Sequence, residues 1–211
     1  WRDHTRRLTA VDFWLYLGLE LGLGAPIDRD ISRWEEFFIP AELSSAISQF
    51  QRRAGGKTTP LVVEDIMLYE STLESPPSQV VSVWPRYLLF GALLVVVGWL
   101  AGFIPRVTRH GLARGWLVLC GVAGGMLVFF WFFTDHLAAS RNLNVLVFNP
   151  LYLLFAVKPF SRYAGWALLG SSSIAVLIAV IPGGQYNWDV LAAFLPVNTA
   201  AGLALLRCKS G

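Results

Sequence analysis

The chain has 211 residues, of which 55% are hydrophobic and only 15% are charged, and its formal net charge is +3. Because soluble domains carry about 25% charged residues, this composition excludes an ordinary soluble enzyme, a disordered chain and a collagen-like fibre. Two cysteines are too few for a disulfide scaffold or a four-cysteine zinc site, and the scattered basic residues exclude a nucleic-acid-binding protein.

The first third of the chain is polar and acidic. Residues 1–85 hold 12 of the 14 acidic residues and 8 of the 17 lysines and arginines. This part begins with the basic stretch WRDHTRR, which includes His4, and we expect its charges on a solvated surface. Apolar residues at helical spacing then predict a helix over 9–23, which Gly22 and Gly24 end.

Local signals continue through the rest of this segment. Ser32 and Glu35 have the spacing of a capping box and predict the start of a short helix. The residues from Pro40 to about Arg53 favour a second helix, and LVVEDIMLY, residues 61–69, favours a strand. We therefore predict that residues 1–78 form a small, mainly helical segment outside the membrane, the tail of a larger domain.

Residues 79–211 predict a membrane domain. A membrane-spanning helix needs about 20 apolar residues, or slightly fewer. Five apolar runs have this character, and they cover residues 87–104, 115–134, 145–157, 163–181 and 190–206. The third run is short, so we expect polar residues at its ends to reach the interfaces or the bilayer to thin locally. The predicted fold is an all-α membrane protein with a five-transmembrane-helix bundle.

Lysine and arginine are concentrated in alternate loops of this domain. The loops after the first and third runs and the C-terminal tail hold seven basic residues, whereas the other two loops hold one. Basic loops favour the cytoplasmic side, so we expect a cytoplasmic C-terminus and residues 1–85 outside. No signal peptide precedes that exported segment, so we expect the chain to be the C-terminal piece of a longer or processed protein.

The densest polar cluster of the membrane domain lies between the second and third runs. Polar groups at membrane depth usually face the bundle interior or a wet cavity, so these residues predict a contact with lipid or substrate. His136 could carry a proton, or bind a lipid headgroup together with Arg141. An ordinary interfacial loop that hydrogen-bonds to itself is the alternative. The candidate contact residues are Asp135, His136, Arg141, Asn142, Asn144 and Asn149.

The sequence shows no catalytic arrangement. Cys120 lies in an apolar run among glycine and leucine, where a thiol is an inert packing group. Cys208 falls in the predicted cytoplasmic tail, where we interpret it as a free thiol. There is no phosphate-binding loop, dinucleotide fingerprint or metal-ligand spacing. We therefore expect this chain to carry no catalytic residue, no metal and no cofactor.

Two stretches of the sequence carry a family resemblance. The first is LGLGAPIDRDISRWEEFFIPAEL, residues 21–43, which PLVVEDIMLY follows, and the second is TDHLAASRNLNVLVFNPLYLLF, residues 134–155. Together they resemble the C-terminal portion of bacterial lipoprotein N-acylation transferase B-like proteins, which have a periplasmic papain-like (NlpC/P60-related) domain and a five-helix membrane domain. The resemblance implies a protein of the bacterial cytoplasmic (inner) membrane with a periplasmic N-terminal segment.

What the resemblance implies for function is acyl transfer on lipoproteins. A thiol takes an acyl chain from the lipid-modified N-terminal cysteine and delivers it to the α-amino group, and a Cys–His pair activates the thiolate. We expect that pair ahead of Trp1, because neither Cys120 nor Cys208 matches it. The chain would then be the membrane portion of such an enzyme, with membrane lipids and lipoproteins as partners.

A second function stays open on the sequence. The absent nucleophile and the aromatic run FFWFF, residues 129–133, also suit a non-catalytic accessory subunit of a larger respiratory, photosynthetic or secretion complex. Other membrane subunits would then be its partners. A small transporter is less favoured, because few ionisable residues lie within the apolar runs.

Overall fold

The computed structural model describes residues 1–70, 72, 76–104, 108–156 and 161–207. In these residues the regular structure is helical apart from one two-stranded sheet. The α-helices are α1 Arg2–Thr9, α2 Phe13–Gly22, α3 Arg33–Glu36, α4 Pro40–Gln49, α5 Trp84–Ala101, α6 Arg109–Phe132, α7 Tyr152–Phe155, α8 Ser161–Ala179 and α9 Trp188–Leu206. Within this described part, α5, α6, α8 and α9 are long and apolar enough to cross a membrane. The predicted all-α membrane class is confirmed.

The chain folds into two compact units. The first consists of Trp1 and Arg29–Pro76, and the second of Arg2–Asp28 and Pro77–Gly211. The predicted first domain, residues 1–78, is therefore distributed over both units. Helices α1 and α2 belong with the apolar helices because their side chains pair with residues late in the chain, as described below.

The first unit contains α3, α4 and the sheet. The hydroxyl of Ser32 accepts a hydrogen bond from the N–H of Glu35 at 3.3 Å, and the Glu35 carboxylate accepts one from the N–H of Ser32 at 2.9 Å. The predicted capping box is therefore confirmed. Hydrogen bonds from the Arg29 guanidinium and from Ser32 lower the pKa of Glu35 to about 2, so this carboxylate stays charged at neutral pH.

The sheet differs from the prediction. Strands β1 (Gln51–Ala54) and β2 (Lys57–Pro60) pair antiparallel around a turn at Gly55 and Gly56. These two residues have φ angles of 60° and 77°, which glycine adopts without strain. The helix predicted from Pro40 to about Arg53 therefore ends at Gln49, and the hairpin follows it. Residues 61–69 are all described and do not form the predicted strand.

Helix α9 lies at the centre of the apolar helices and contacts α5, α6 and α8. Glycine makes two of these contacts close. A Cβ added at Gly91 of α5 would lie 3.0 Å from the carbonyl carbon of Ala193, and one at Gly202 of α9 would lie 3.4 Å from the carbonyl oxygen of Gly165. Small residues have this role in membranes because close van der Waals contact replaces the hydrophobic effect between helices.

The contacts between helices also define the two ends of the bundle. Trp84 and Trp188, at the starts of α5 and α9, line one groove, and Trp99 and Ala204, near their ends, line one cavity, so these two helices run parallel. Gly165 near the start of α8 meets Leu206 at the end of α9, so that pair is antiparallel. We call the end at which α5 and α9 begin and α6 ends the upper end. The opposite end, at which α6 and α8 begin, is the lower end.

The third predicted span, residues 145–157, is not a continuous helix in its described part. Leu143–Leu146 forms a 3₁₀ turn, and α7 has only four residues. The reason lies at Asn149 and Pro150. Proline has no N–H to continue a helix, and the Asn149 side-chain oxygen accepts a hydrogen bond from the N–H of Leu151 at 3.0 Å, which forms a local turn instead.

This irregular segment, residues 143–156, nevertheless runs along α6 in the opposite direction. Phe148 lies against Gly124 of α6, and Leu153 lies against Gly121, which is nearer the lower end. The segment therefore leads from the upper end toward the lower end, where α8 begins. In the residues that the structure describes, the chain passes along the bundle five times, and four of these passages are long helices.

A buried amide in α9 holds the irregular segment in place. The Asn198 side-chain nitrogen donates to the carbonyl oxygen of Val147 at 3.2 Å and to the Ser172 hydroxyl at 3.0 Å. Its oxygen accepts from the Trp116 indole nitrogen at 2.7 Å. Asn198 thus joins α6, α8, α9 and the irregular segment, and it supplies a hydrogen-bond donor to a backbone carbonyl that no helix satisfies.

Candidate functional site

A cluster of buried charges lies at the upper end of the second unit. Arginines from α1 meet carboxylates from α2, from the 3₁₀ turn Ala25–Asp28 and from the start of α9. Buried charges are tolerated when they are paired and hydrogen-bonded. We call this group the ion cluster, and its members are Arg2, Arg6, Glu20, Asp28 and Asp189.

Arg2 connects α1 to three points of the following chain. Its guanidinium donates to the Glu20 carboxylate at 3.2 Å and to both carboxylate oxygens of Asp28. It also donates to the carbonyl oxygens of Leu23 at 3.1 Å and Gly24 at 3.2 Å. With only 3% of Arg2 exposed, these bonds replace water as its hydrogen-bonding partner.

Arg6 makes a two-pronged contact with Glu20. Its Nε and Nη2 donate to the two carboxylate oxygens at 2.9 and 2.8 Å, which is the strongest geometry for this pair. Arg6 also donates to the carbonyl oxygen of Tyr186 at 2.7 Å, and it lies 3.5 Å from the Asp189 carboxylate. Burial lowers the pKa of Arg6, but Glu20, Tyr16 and Asp189 together raise it above its ordinary value, so the guanidinium stays charged.

Tyr16 of α2 completes the cluster by donating its hydroxyl proton to Asp189 at 2.9 Å. Burial raises the pKa of Tyr16 well above its ordinary value of 10.0, and the neighbouring Asp189 carboxylate raises it further. The phenol is therefore a donor at all ordinary pH values. Asp189 thus receives contacts from both α1 and α2, which ties them to the start of α9.

The raised pKa of Tyr16 predicts a loss of stability in alkali. The unfolded chain ionises this phenol near pH 10, while the folded chain resists ionisation. The stabilisation is therefore complete below pH 10 and is lost as the pH rises above it. We expect the melting temperature in detergent to fall more steeply between pH 9.5 and 11.5 (roughly the range in which tyrosine ionises) for the wild type than for Tyr16→Phe.

The control for this titration is Tyr163→Phe. Tyr163 lies on α8 with 66% of its surface exposed, so its removal should leave the alkaline slope of the wild type unchanged. If the melting temperature falls with pH equally steeply in the wild type and in Tyr16→Phe, the raised pKa assigned to Tyr16 is contradicted.

Four buried amides form a second cluster beside the first. The Asn142 oxygen accepts from the side-chain nitrogen of Gln185 at 3.2 Å, and the Asn144 oxygen accepts from that of Asn187 at 2.7 Å. The Asn142 nitrogen donates to the carbonyl of Leu21 at 2.8 Å. We call Asn142, Asn144, Gln185 and Asn187 the amide cluster.

The amide cluster caps the C-terminal end of α2. The last carbonyl oxygens of a helix have no partner within the helix. Here the Asn144 nitrogen donates to the carbonyls of Glu20 and Leu21 at 2.9 and 3.0 Å, and the Gln185 nitrogen donates to that of Leu23 at 3.0 Å. These side chains therefore fix the position of α2 against the segment that follows α6.

The six predicted contact residues do not come together in one site. Asn142 and Asn144 are fully buried and bind backbone groups of α2. Asn149 is partly exposed and bonds within its own turn. The other three, Asp135, His136 and Arg141, are exposed near the upper end. Contact with lipid or substrate stays a prediction for these exposed residues.

An apolar groove of about 640 Å³ opens beside the ion cluster. The stretch before and at the start of α5 lines one side, and the first turns of α9 line the other. Arg6, Tyr16 and Asp189 form its polar end. Its apolar lining consists of Val80, Val81, Val83, Trp84, Leu88, Trp188, Leu191, Ala192 and Leu195. A smaller apolar cavity of about 190 Å³ lies nearer the lower end, between α5, α6 and α9.

The cysteines lie apart from this groove as far as the structure describes them. Cys120 is buried in α6, with its sulfur 4.0 Å from the side-chain oxygen of Asn198, and Cys208 lies outside the described residues. Among the described residues, no group of three or more histidine, cysteine, aspartate or glutamate side chains could hold a metal ion.

The ion cluster was not predicted from the sequence. The charges of residues 1–7 were expected on a solvated surface, and this is wrong for Arg2, which is buried against Glu20. A usable signal was present, since Glu20 stands alone in an apolar helix and Asp189 stands at the start of an apolar run. Isolated charges in such positions need partners of the opposite sign.

Comparison with known proteins identifies the family. Residues 78–202, more than half of the chain, match the family described as the Lnb transmembrane domain. Curated proteins and solved structures gave no match. The matched region includes the stretch 134–155 on which the resemblance partly rests, the irregular segment, the helices α5, α6 and α8, and most of α9. The chain belongs to the Lnb transmembrane domain family.

Proposed function

We propose that this chain is the membrane portion of a bacterial lipoprotein N-acyltransferase and that the apolar groove holds an acyl chain of the lipid-modified substrate. The observation that carries the proposal is the groove, which joins apolar walls to one polar end. The family membership and the resemblance to lipoprotein N-acylation transferase B-like proteins support the same function.

The shape and chemistry of the groove suit an acyl chain. Its volume of about 640 Å³ is typical of small-molecule sites. Because the surrounding lipid solvates an acyl chain equally well, the apolar walls position the chain and the polar end supplies the selectivity. Two guanidinium groups face three carboxylates in the ion cluster. The Asp189 carboxylate lies at the polar end of the groove and suits an ammonium group, such as the α-amino group of a lipid-modified cysteine.

The role proposed for this chain is to bind and orient, and the thiol chemistry belongs to a Cys–His pair of a periplasmic domain. Cys120 does not suit that chemistry, since it is 1% exposed and faces Asn198 inside the bundle. The substrate α-amino group would lie at the polar end, beside Tyr16 and Asp189. An acyl group carried by the thiol would be delivered to it there, which makes positioning the contribution of this chain.

The proposed orientation places the upper end, and with it the groove, in the periplasm. The described basic residues at the lower end support a cytoplasmic position for that end, and they are Arg109, Arg114, Arg162 and Arg207. Other basic residues of the prediction, Arg106, Lys158 and Lys209, lie outside the described residues. His136 and Arg141 would then contact lipid headgroups of the periplasmic leaflet.

Photo-crosslinking tests this function directly. The full chain is reconstituted in vesicles of phosphatidylethanolamine and phosphatidylglycerol with a synthetic peptide whose N-terminal cysteine carries a diacylglyceryl group. A diazirine in one acyl chain reports its neighbours by mass spectrometry. We expect crosslinks to Leu88 and Leu195. The variant Ala192→Trp should reduce the yield of these crosslinks several-fold, because the larger side chain fills the groove.

The control is Ala92→Trp, which makes the same change at an exposed position of α5 and should crosslink as the wild type does. A phospholipid with the same diazirine chain tests the selectivity. Equal labelling by the phospholipid, or crosslinks concentrated in the smaller cavity, would contradict the proposed function.

A further inference from the structure

Helix α2 has an exposed apolar face outside the matched region 78–202. Trp14 is 67% exposed and Leu15 is 53% exposed, and Val11 just before the helix is 82% exposed. The helix sequence FWLYLGLELG contains a single charged residue, Glu20, and that residue is buried against Arg2 and Arg6. An exposed face of this kind is unusual on a soluble surface and is typical of a contact with lipid.

This face continues the surface of α5, a helix with the length and composition of a membrane span. The Trp14 ring lies 5.6 Å from that of Phe90, and the Phe13 ring lies 5.3 Å from it. Phe90 lies six residues after the start of α5, which is about 9 Å along the helix axis. Trp14 and Leu15 are therefore at a depth at which α5 itself contacts acyl chains.

The start of α2 is fixed to α5 at this depth. Tyr87 donates its hydroxyl proton to the carbonyl oxygen of Phe13 at 2.9 Å, and Arg86 donates to that of Ala10 at 2.8 Å. Asp12, which caps α2 by accepting from the N–H of Leu15 at 2.8 Å, is exposed. The polar groups at this end thus suit the headgroup level, with Trp14 and Leu15 below it.

The other end of α2 meets a requirement of the membrane interior. In hydrocarbon, backbone carbonyls must find partners in the protein, because no water is available. The amide cluster and Arg2 supply donors to the carbonyls of Glu20, Leu21, Leu23 and Gly24. These donors let this end of α2 lie away from water.

We infer that α2 lies in the membrane, with its exposed face covered by acyl chains of the leaflet at the upper end. The membrane domain therefore begins with α1 and α2, well before the matched region. The occupant of the exposed face is lipid, because the face is continuous with that of α5 and has the same composition.

Collision measurements on nitroxide labels test this inference. Single cysteines at Trp14 and Leu15 are introduced into a Cys120→Ala, Cys208→Ser parent, spin-labelled, and reconstituted in phosphatidylethanolamine and phosphatidylglycerol vesicles. Leu93→Cys on the exposed face of α5 is the lipid reference, and Asp135→Cys after the end of α6 is the water reference. Oxygen partitions into lipid and a nickel chelate into water. We expect the oxygen-to-nickel ratio at residues 14 and 15 to match that of residue 93 and to exceed that of residue 135 several-fold.

Two outcomes would overturn the inference. An oxygen-to-nickel ratio at residues 14 and 15 that equals the ratio at residue 135 would place α2 in water. Low accessibility to both reagents would show that protein, either a second copy or another subunit, covers the face. Residues 14 and 15 are exposed, so their labelled variants should keep the melting temperature of the parent, and a ratio is interpreted only for variants that do.

Discussion

The variant Glu20→Gln should lose about 3–5 kcal/mol of stability, because it leaves two arginines without their shared carboxylate. Glu20 is 1% exposed and binds both Arg2 and Arg6. Glutamine keeps the size of the side chain but cannot neutralise either guanidinium. The melting temperature in detergent should fall on the order of 10 °C, and α1 should become accessible to protease before the rest of the second unit.

Two further variants separate burial from charge. Glu36→Gln removes one of two carboxylate partners of Arg33, in an ion pair whose side chains are 58% and 23% exposed, and it should cost less than about 1 kcal/mol. The double variant Arg6→Met, Glu20→Leu should be less destabilised than the sum of its single changes, because it removes both charges together. If Glu20→Gln loses as little stability as Glu36→Gln, the proposed contribution of the ion cluster to stability is contradicted.

The variant Gly124→Ala should separate α6 from the irregular segment. An added Cβ would lie 2.7 Å from the backbone nitrogen of Pro150, and closer still to the carbonyl oxygen of Phe148. Both are backbone atoms of a segment that Asn198 holds in place, so neither can move away at little cost. We expect a destabilisation of about 1–3 kcal/mol or more, measured as the melting temperature in detergent.

Gly125→Ala is the matched control for this change. It lies on the same helix, one residue further, and an added Cβ at this position meets no atom within 4 Å. Alanine favours a helix more than glycine does, so this variant should be as stable as the wild type or slightly more stable. Equal losses for the two variants would show that the close contact with Phe148 does not set the requirement for glycine at residue 124.

Local and compositional features were predictable from the sequence. The four long apolar helices follow from hydropathy, because each contains enough apolar residues to cross a bilayer. The capping box at Ser32 and Glu35 depends on residues three apart, which the sequence places together. The third run was harder, since its apolar composition predicted a helix while Asn149 and Pro150 prevented one from continuing.

The candidate site was predictable only in part, because its contacts join distant parts of the chain. Asn142 and Asn144 were identified as polar residues that need partners, but their partners are backbone carbonyls more than 120 residues away. The contact of Tyr16 with Asp189 spans 173 residues. Hydropathy and spacing report which residues need partners, and they do not report which partners the fold supplies.

The irregular segment has a consequence for biogenesis. A translocon releases a helix sideways into lipid when that helix satisfies its own backbone. Residues 143–156 do not satisfy their own backbone, because the carbonyl of Val147 accepts its hydrogen bond from Asn198, far later in the chain. This passage should therefore wait beside the translocon until α8 and α9 have been synthesised. A ribosome-stalled chain that ends before Asn198 should expose the passage to modifying enzymes that the finished protein excludes.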